Sequence, residues 1–287
     1  MNKICKTCVM DNSTGAIFTE DGICNFCNNY RILESLYPNN LESLTKVRKT
    51  FEQIKISSSS KNYDCVVGIS GGTDSCYTLK FLVENGLRPL AVHFDNGWNT
   101  EVSVSNIKKV VKKLDVDLYT YVVDWEEFKD IQKAFLYSST PDIDQPTDQG
   151  IRGALFKVAQ QEGLKHVIVG NNFRNEGKVP IHWSYSDGYY VKNIHQEFGI
   201  KKIITYPLIT PIELIKYKAL GIKIIKPLWY VKYIKSETKN ISKILNEYKK
   251  KIHSLFHFGE FARIYQSFLK MNECIESNTV GTNAVFN

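Results

Sequence analysis

The sequence predicts an α/β fold built on a doubly wound parallel sheet. Several short apolar stretches rich in β-branched residues, such as residues 63–69, are typical of strands buried on both faces. The stretch that follows has apolar residues three or four apart, at Leu79, Leu82 and Val83, which marks one face of a helix. Strand and helix patterns then alternate along the chain, and this order gives parallel strands joined by right-handed crossovers.

The composition limits the class of protein. The chain has 287 residues, of which 43% are hydrophobic and 23% charged, as in a globular protein with one sizeable core and a smaller appendage. No apolar run approaches the ~20 residues that span a bilayer, and the first residues do not form a signal peptide. We therefore expect a cytoplasmic protein with no membrane partner. The net charge of +7 suits nucleotides, nucleotide-sugars or RNA, and a generally lysine-rich surface explains it equally well.

Four of the seven cysteines form two pairs near the amino terminus. Cys5 and Cys8 are separated by two residues, as are Cys24 and Cys27, and 15 residues lie between the pairs. This spacing is typical of a zinc ribbon, in which two CxxC turns complete a tetrahedral four-cysteine site. Disulfides are the alternative, but a reducing compartment disfavours them. Four protein ligands leave no open position, so we expect a structural Zn²⁺ that stabilises folding.

A helical connector should join this ribbon to the first strand. Residues 30–54 have apolar residues at helical spacing, interrupted by Pro38. Four consecutive serines, residues 57–60, are predicted to form a short flexible linker at the domain boundary. The predicted segments are therefore a zinc ribbon in residues 1–30, a helical connector in 31–60, an α/β nucleotide-binding domain in 61–245 and a C-terminal tail in 246–287.

A glycine-rich motif, Ser70-Gly71-Gly72-Thr73-Asp74-Ser75, separates the first strand from its helix. The glycines let the backbone turn sharply and approach a ligand, while the N–H groups at the helix start face negative charge. The motif lacks the lysine of a Walker A loop and the third glycine of a dinucleotide fingerprint. It resembles the SGGxDS signature of the PP-loop, or N-type, ATP pyrophosphatases, which split ATP into AMP and pyrophosphate while activating a carbonyl oxygen. An ordinary glycine-rich turn is the alternative.

This resemblance implies an adenine nucleotide alpha hydrolase-like fold that binds ATP with Mg²⁺. The loop N–H groups would hold the β- and γ-phosphates, Ser70 and Ser75 would bond to phosphate oxygens, and Asp74 would position metal or pyrophosphate. The residues predicted to bind ATP are Ser70, Gly71, Gly72, Thr73, Asp74, Ser75, Phe94, Asn96, Gly170 and Asn171.

The residues around the four cysteines resemble a narrower group. Two segments are similar to the amino-terminal signature of PP-loop N-acetyl sugar amidotransferases: Cys5-Lys6-Thr7-Cys8-Val9-Met10-Asp11 and Asp21-Gly22-Ile23-Cys24-Asn25-Phe26-Cys27. Those enzymes act in bacterial surface-polysaccharide biosynthesis, including that of lipopolysaccharide O-antigen. The resemblance implies conversion of an acetamido group on a nucleotide-activated sugar into an acetamidino group. It also implies two partners, a glutaminase that supplies ammonia and a channel-forming subunit, both similar to subunits of the histidine-pathway synthase.

The second predicted strand, residues 89–94, ends in Asp95-Asn96-Gly97-Trp98. Ligands of open α/β sheets bind beyond the carboxyl ends of the strands, so this segment is expected to meet nucleotide or sugar. The family carries a similar DNG word here, which makes Asp95 a candidate for substrate binding. A plain Asn-Gly turn is the alternative.

The next strand-helix unit leads into a second polar loop. Residues 102–114 form a basic amphipathic helix, residues 118–123 a strand, and residues 125–137 another helix. Residues 138–148, with two prolines and three aspartates, are predicted to form an active-site loop. The sugar amidotransferases carry a similar Asp-x-Pro-Thr-Asp word. Asp144 and Asp148 are therefore candidates for binding Mg²⁺ or sugar hydroxyls, with helix capping as the alternative for Asp148.

The fourth strand, residues 165–169, is followed by Gly170-Asn171-Asn172 and then by Glu176. This resembles the sugar amidotransferase version of the loop that closes on the nucleotide. Asn172 is a candidate for substrate binding, and Glu176 for metal binding or proton transfer. Arg174 could meet a phosphate, although it is less typical of that motif.

Two histidines follow in residues 182–199. Lone histidines more often have structural roles, so Lys192 and His195 are second-tier substrate candidates, with His182 nearby. Residues 206–233 are predicted to form the last elements of the core, and the resemblance fades after about residue 240.

Together these features predict an ATP-dependent amidotransferase with Asp74, Asp148 and Glu176 as its catalytic residues. A tRNA 2-thiolation enzyme is the rival, because that class also joins PP-loops to zinc ribbons and suits a basic protein. Its members commonly need cysteines near the active site, and only Cys65, Cys76 and Cys274 lie outside the ribbon, without a CxxC pair. We therefore do not expect nucleic acid as a partner. A non-catalytic nucleotide-binding protein is the third hypothesis.

Overall fold

The structure of the chain, a computed structural model, describes residues 3–140, 142–176 and 185–233. It forms two compact units. The described part of the first unit consists of residues 3–36 and 173–176, and that of the second of residues 37–140, 142–172 and 185–233. The predicted tail 246–287, Cys274 and His182 lie outside the described residues.

The second unit is built around five parallel strands. They are β1 (Cys65–Gly68), β2 (Pro89–Asp95), β3 (Leu118–Val122), β4 (His166–Ile168) and β5 (Lys223–Ile225). Their order in the sheet is β3-β2-β1-β4-β5, and all four pairings are parallel. The strand order runs outward in both directions from β1, which confirms the predicted doubly wound fold and places the end of β1 beside those of β2 and β4.

Nine α-helices lie in the described part of the chain. They are α1 (Asn25–Leu36), α2 (Leu41–Ser57), α3 (Thr73–Glu84), α4 (Glu101–Leu114), α5 (Trp125–Tyr137), α6 (Gln145–Gln161), α7 (Phe173–Glu176), α8 (Gly188–Phe198) and α9 (Pro211–Ala219). Helices α1 and α7 belong to the first unit and the others to the second. None of these helices has the length and hydropathy needed to cross a membrane.

Side-chain alternation in β1 divides the core of the second unit into two layers. Cys65 and Val67 pack with residues of α2, α3 and α4, whereas Val66 faces the opposite way and packs with residues of α6 and α9. A third cluster joins α5 and α8 at the end of β2, around Phe94 and Phe128. Helices therefore cover both faces, as the continuous apolar pattern of β1 and β2 predicts.

The predicted connector and linker differ from the structure. The connector is two helices, α1 and α2, and α1 begins at Asn25, within the predicted ribbon. The serines are not a flexible linker: Ser57 ends α2, and the buried Ser58 hydroxyl donates to Oδ1 of Asp64 at 2.7 Å. Asp64 also accepts from the backbone N–H and the guanidinium of Arg88, both at 2.7 Å. A serine-rich segment, whose composition is typical of linkers, is thus held in place by one buried carboxylate, that of Asp64.

Two buried carboxylates on α5 hold the chain after α8. Glu127 accepts hydrogen bonds from the N–H groups of Ile204, Thr205 and Tyr206. Asp130 accepts from the N–H groups of Ile200 and Lys201 and from the ring of His195. Burial raises the pKa of Asp130, but these three donors outweigh it and the net pKa is lowered. The clamp fixes residues 200–206, which lead to Tyr206 beside β2.

Replacing Asp130 with asparagine should weaken both the fold and its response to acid. A carboxylate with a lowered folded pKa contributes stability above its unfolded pKa of about 3.9, and this is lost as the pH falls through the folded value. We expect Asp130→Asn to cost about 1–3 kcal/mol at neutral pH and to flatten the loss of stability below about pH 4. Chemical denaturation from pH 3 to pH 7 measures this.

The control is Asp115→Asn, at an exposed aspartate in a left-handed backbone conformation that asparagine accepts. It should match the wild type throughout. An Asp130→Asn protein with wild-type stability and acid slope would contradict the role given to this carboxylate.

Candidate functional site

The first unit brings the four amino-terminal cysteines together. Their sulfur atoms all lie within 4.8 Å of one another, and none is in a disulfide. Sγ of Cys5 is 3.9 Å from Sγ of Cys27, and Sγ of Cys8 is 3.6 Å from Sγ of Cys24. A tetrahedral zinc site with Zn–S bonds of about 2.3 Å separates its sulfurs by about 3.8 Å. The cluster therefore has the dimensions of a four-thiolate metal site.

Backbone donors around these sulfurs favour thiolate. The N–H groups of Cys24 and Thr7 point at Sγ of Cys5, at 3.2 and 3.4 Å, and that of Cys27 points at Sγ of Cys24 at 3.4 Å. Burial raises the pKa of Cys5, but bonds from Thr7, Cys24 and Cys8 reverse the effect and lower it to about 5. Burial raises the pKa of Cys8. A bound cation would remove that penalty, because metal ligation deprotonates a thiol outright.

In the second unit the glycine-rich motif turns between β1 and α3. The hydroxyls of Ser70 and Ser75 are 3.1 Å apart, and the Ser75 hydroxyl accepts from the Ser70 N–H at 3.2 Å and donates to the Gly72 carbonyl at 3.0 Å. Gly72 is the residue before the first turn of α3 and gives it no side-chain cap. The serines thus brace the loop. Because no side chain of Gly72 caps the first turn of α3, the N–H groups there can face an anion.

Helix α4 supports the loop from its other side. Gly71 has φ +77°, and a Cβ atom there would lie 2.3 Å from the carbonyl oxygen of Ser103. Asn106 donates from Nδ2 to the Gly71 carbonyl at 3.1 Å. Asn106 is not among the residues predicted from sequence, and its one local signal is its place next to the buried Ile107 of an amphipathic helix. Position 71 therefore requires glycine for two reasons: the positive φ, and the lack of room for a Cβ atom beside Ser103.

The end of β4 also meets the loop. A Cβ atom on Gly170 would lie 3.1 Å from Oγ1 of Thr78 and 3.2 Å from the backbone carbonyl of Asp74, so this glycine permits close approach to α3. Thr78 in turn donates its hydroxyl to the Asp74 carbonyl at 2.8 Å. Asn171 is exposed and Asn172 is buried. The predicted ATP-binding residues 70–75 and Gly170 are therefore neighbours in space.

The residues after β2 form a tight turn. Oδ1 of Asp95 accepts from the Gly97 N–H at 3.0 Å and from Nδ2 of Asn99 at 2.8 Å, and Oδ1 of Asn96 accepts from the Trp98 N–H at 3.1 Å. The turn exposes Trp98, and the centre of its ring lies 5.1 Å from the centre of the Phe128 ring. The side chains of Asp95 and Asn96 thus both stabilise the turn. Binding of substrate by Asp95 and of ATP by Asn96 stays a prediction.

Helix α6 begins earlier than predicted and carries the two loop aspartates. Asp144 precedes its first residue without a side-chain cap, and Asp148 lies in its first turn, so Asp148 is not the capping residue. A Cβ atom on Gly150 would lie 2.4 Å from both Phe94 and the Tyr206 hydroxyl, which donates to the Pro146 carbonyl. Burial and, secondarily, the Asp148 carboxylate raise the pKa of Tyr206. These contacts bring the start of α6 to the end of β2.

The remaining candidates, Glu176, Lys192 and His195, lie on α7 and α8. His195 is buried with Nε2 at 2.8 Å from Oδ2 of Asp130, a structural environment, and Lys192 is exposed on the same helix. Glu176 is exposed on α7, in the first unit, where Arg174 lies 4.3 Å from the ring centre of Phe173. A residue that the sequence did not single out, Tyr233, donates its hydroxyl to Oδ1 of Asp74 at 2.5 Å.

Comparison with known proteins gives a family match. The family model described as queuosine biosynthesis protein QueC matches residues 64–254, well over half of the chain. An uncharacterised protein of Methanocaldococcus jannaschii is 29% identical over 172 residues, which cover 58% of this chain and 58% of that protein. The tRNA-specific 2-thiouridylase MnmA of Campylobacter fetus is 29% identical over 157 residues, covering 50% of this chain and 45% of that protein.

The chain therefore spans about half the length of the curated relatives it matches. Among solved structures, the NMN synthetase of Francisella tularensis is 17% identical, with 76% of this chain and 100% of that chain covered and a TM-score of 0.34. A TM-score of this size does not establish a shared fold.

Proposed function

The chain belongs to the QueC family of PP-loop ATP pyrophosphatases, and from this premise we propose that it is an ATP-dependent amidotransferase acting on a nucleotide-activated acetamido sugar. The observation that carries the proposal is a pair of motifs in one chain. An SGGxDS loop with an open helix start lies in the second unit, and a four-cysteine cluster with amidotransferase-like flanking words lies in the first. The place of the reaction would be surface-polysaccharide biosynthesis in the cytoplasm.

The proposed reaction has two steps. The acetamido oxygen attacks the α-phosphorus of ATP, the bond to the β-phosphate oxygen breaks, pyrophosphate leaves, and an adenylated imidate forms. Ammonia then adds to the imidate carbon, AMP leaves with the former acetamido oxygen, and loss of a proton gives the acetamidine. Oxygen in the sugar is thereby replaced by NH. The ammonia would come from a glutaminase through a channel-forming partner.

This chain would contribute position and charge. Residues 70–75 would bind the phosphates through N–H groups and the Ser70 and Ser75 hydroxyls, and Asp74 would hold Mg²⁺, which neutralises charge on pyrophosphate. Asp95, Asn172 and the α6 aspartates would orient the sugar. Cys5, Cys8, Cys24 and Cys27 would hold Zn²⁺, which supplies folding energy and no chemistry.

The alternative is tRNA 2-thiolation, and the similarity to a tRNA-specific 2-thiouridylase favours it specifically. Enzymes of that class commonly need cysteines near the active site, to carry sulfur or an iron–sulfur cluster, and the reactive form of cysteine is the thiolate. Within the described part of the second unit the cysteines are Cys65 and Cys76. Cys65 is fully buried in β1 and burial raises its thiol pKa, while burial also raises that of the half-buried Cys76. Neither environment favours a reactive thiolate, which counts against a sulfur-carrying role for these two cysteines.

Pyrophosphate release tests the proposal directly. The purified chain is incubated with ATP, Mg²⁺ and ammonium chloride, which replaces the glutaminase, and with UDP- and CMP-linked acetamido sugars or bulk tRNA. We expect release only with a sugar nucleotide, and a product whose mass falls by the difference between O and NH. Release with tRNA and with no sugar would replace the proposal with RNA modification, and ATP binding without acceptor-stimulated cleavage would favour a nucleotide-binding protein.

A further inference from the structure

A tyrosine remote in sequence reaches the first turn of α3. Tyr233 lies 159 residues after Asp74, yet its hydroxyl donates to Oδ1 of the Asp74 carboxylate at 2.5 Å. The segment that carries it is anchored in the core, because Leu228 and Val231 belong to the same apolar cluster as Ile69 at the end of β1. The contact is therefore built by the fold of the second unit rather than by local sequence.

The tyrosine ring is held firmly enough to aim its hydroxyl. The side chain is 6% exposed, and its ring centre lies 4.7 Å from that of Tyr77 on α3. A tyrosine phenol is protonated at neutral pH, so the group is a hydrogen-bond donor to the carboxylate. A phenylalanine would fill the same space, and the hydroxyl adds only the bond to the carboxylate.

We propose that Tyr233 is a positioning residue that fixes the orientation of the Asp74 carboxylate for binding of Mg²⁺ with ATP. The inference rests on the metal-binding role proposed for Asp74, and it does not depend on which acceptor the enzyme uses. A hydrogen bond to one carboxylate oxygen restricts the side-chain rotamer, and a preset ligand loses less conformational entropy when it binds a cation. Removal of the hydroxyl should therefore weaken metal-dependent binding while the tyrosine packing survives.

The test uses the full chain and an ATP analogue with a methylene bridge between the α- and β-phosphorus atoms. The Mg²⁺ concentration that half-saturates analogue binding is measured for the wild type, Tyr233→Phe, Asp74→Asn and the double variant. Tyr77→Phe is the matched control, because it removes the hydroxyl of the neighbouring ring. Thermal unfolding of each protein separates loss of folding from loss of binding.

We expect Tyr233→Phe to raise the half-saturating Mg²⁺ concentration about tenfold, the size of one hydrogen bond to a charged group. Its melting temperature should fall by no more than the few degrees that one lost hydrogen bond costs, its weak binding of metal-free analogue should stay near the wild-type value, and Tyr77→Phe should change neither. In the Asp74→Asn background Tyr233→Phe should add no further effect. A wild-type Mg²⁺ response in Tyr233→Phe, or an equal shift in both backgrounds, would overturn the inference.

These binding data and the pyrophosphate-release assay together separate this inference from the proposed function. If wild-type binding of the analogue does not depend on Mg²⁺, the role of Asp74 is wrong and the inference fails with it. If the Mg²⁺ response follows the expected pattern but no sugar nucleotide stimulates pyrophosphate release, the sugar proposal alone fails.

Discussion

A Cys24→Ser variant is expected to lose the zinc proposed for the four-cysteine cluster and the ordered structure of that cluster. Cys24 is fully buried, and its sulfur accepts the Cys27 N–H while its own N–H points at Sγ of Cys5. One substitution therefore removes a ligand together with the sulfur that accepts the Cys27 N–H. Structural zinc contributes about 10–16 kcal/mol of apparent binding free energy in small domains, far more than an apolar cluster of this size supplies.

Metal content and thiol reactivity measure this result. The wild type should carry one zinc per chain by mass spectrometry, and Cys24→Ser close to none. The remaining thiols of the pairs should then react rapidly with a thiol reagent. Cys76→Ser is the control, because it removes a half-buried thiol of the second unit and should leave the metal content unchanged. Full zinc content in Cys24→Ser would contradict the four-ligand site, as would rapid thiol labelling of the wild type.

The central strands were predictable because their environment is uniform. β1 and β2 are buried on both faces, so their apolar residues are continuous in sequence, and the motif that follows β1 has a distinctive spacing of glycine and serine. The edge strand β5 has three residues, none of them buried, and it leaves no such pattern. Burial on both faces makes a strand visible in sequence, and so does the β-branched and aromatic content of the exposed edge strand β3 (Leu118–Val122).

Where the prediction differed, the missing information is long-range. α6 was expected to begin after Asp148, since Pro146 was taken to disfavour regular structure; proline is in fact compatible with the first turn of a helix, where its missing N–H has no partner to lose. Ser58 is ordered by Asp64, six residues away. Asn106 and Tyr233 act on the loop from 35 and 159 residues away, so no local pattern reveals either contact.

Alanine substitutions at the two loop glycines should differ in their effect on folding: one should destabilise the second unit and the other should not. Gly71→Ala places a Cβ atom 2.3 Å from the backbone oxygen of Ser103, in a residue whose φ of +77° already disfavours a side chain. A backbone atom of α4 cannot move aside as a side chain could, and the left-handed conformation alone costs about 1–2 kcal/mol. We expect Gly71→Ala to lower the free energy of unfolding of the second unit several times more than a typical surface substitution does. We also expect it to abolish ATP binding.

Gly72→Ala should instead fold normally and lose ATP binding. Its backbone, at φ −76° and ψ 162°, suits any residue, and a Cβ atom would meet only Oγ of Ser70 at 3.4 Å. The residue is exposed at the start of α3, so the added methyl group occupies the space through which a phosphate must approach the helix N–H groups. Equilibrium denaturation and binding of an ATP analogue, measured on both variants, separate the two effects.

The contrast between the variants is the informative quantity. A ligand that contacts the helix start makes Gly72 necessary for binding alone, whereas Gly71 is necessary for the loop to exist. Equal ATP affinity of Gly72→Ala and the wild type would mean that the phosphates do not approach α3 over this residue, and the anion site would have to lie elsewhere. Equal stability of Gly71→Ala and the wild type would mean that α4 yields to the added carbon, against the close contact with Ser103.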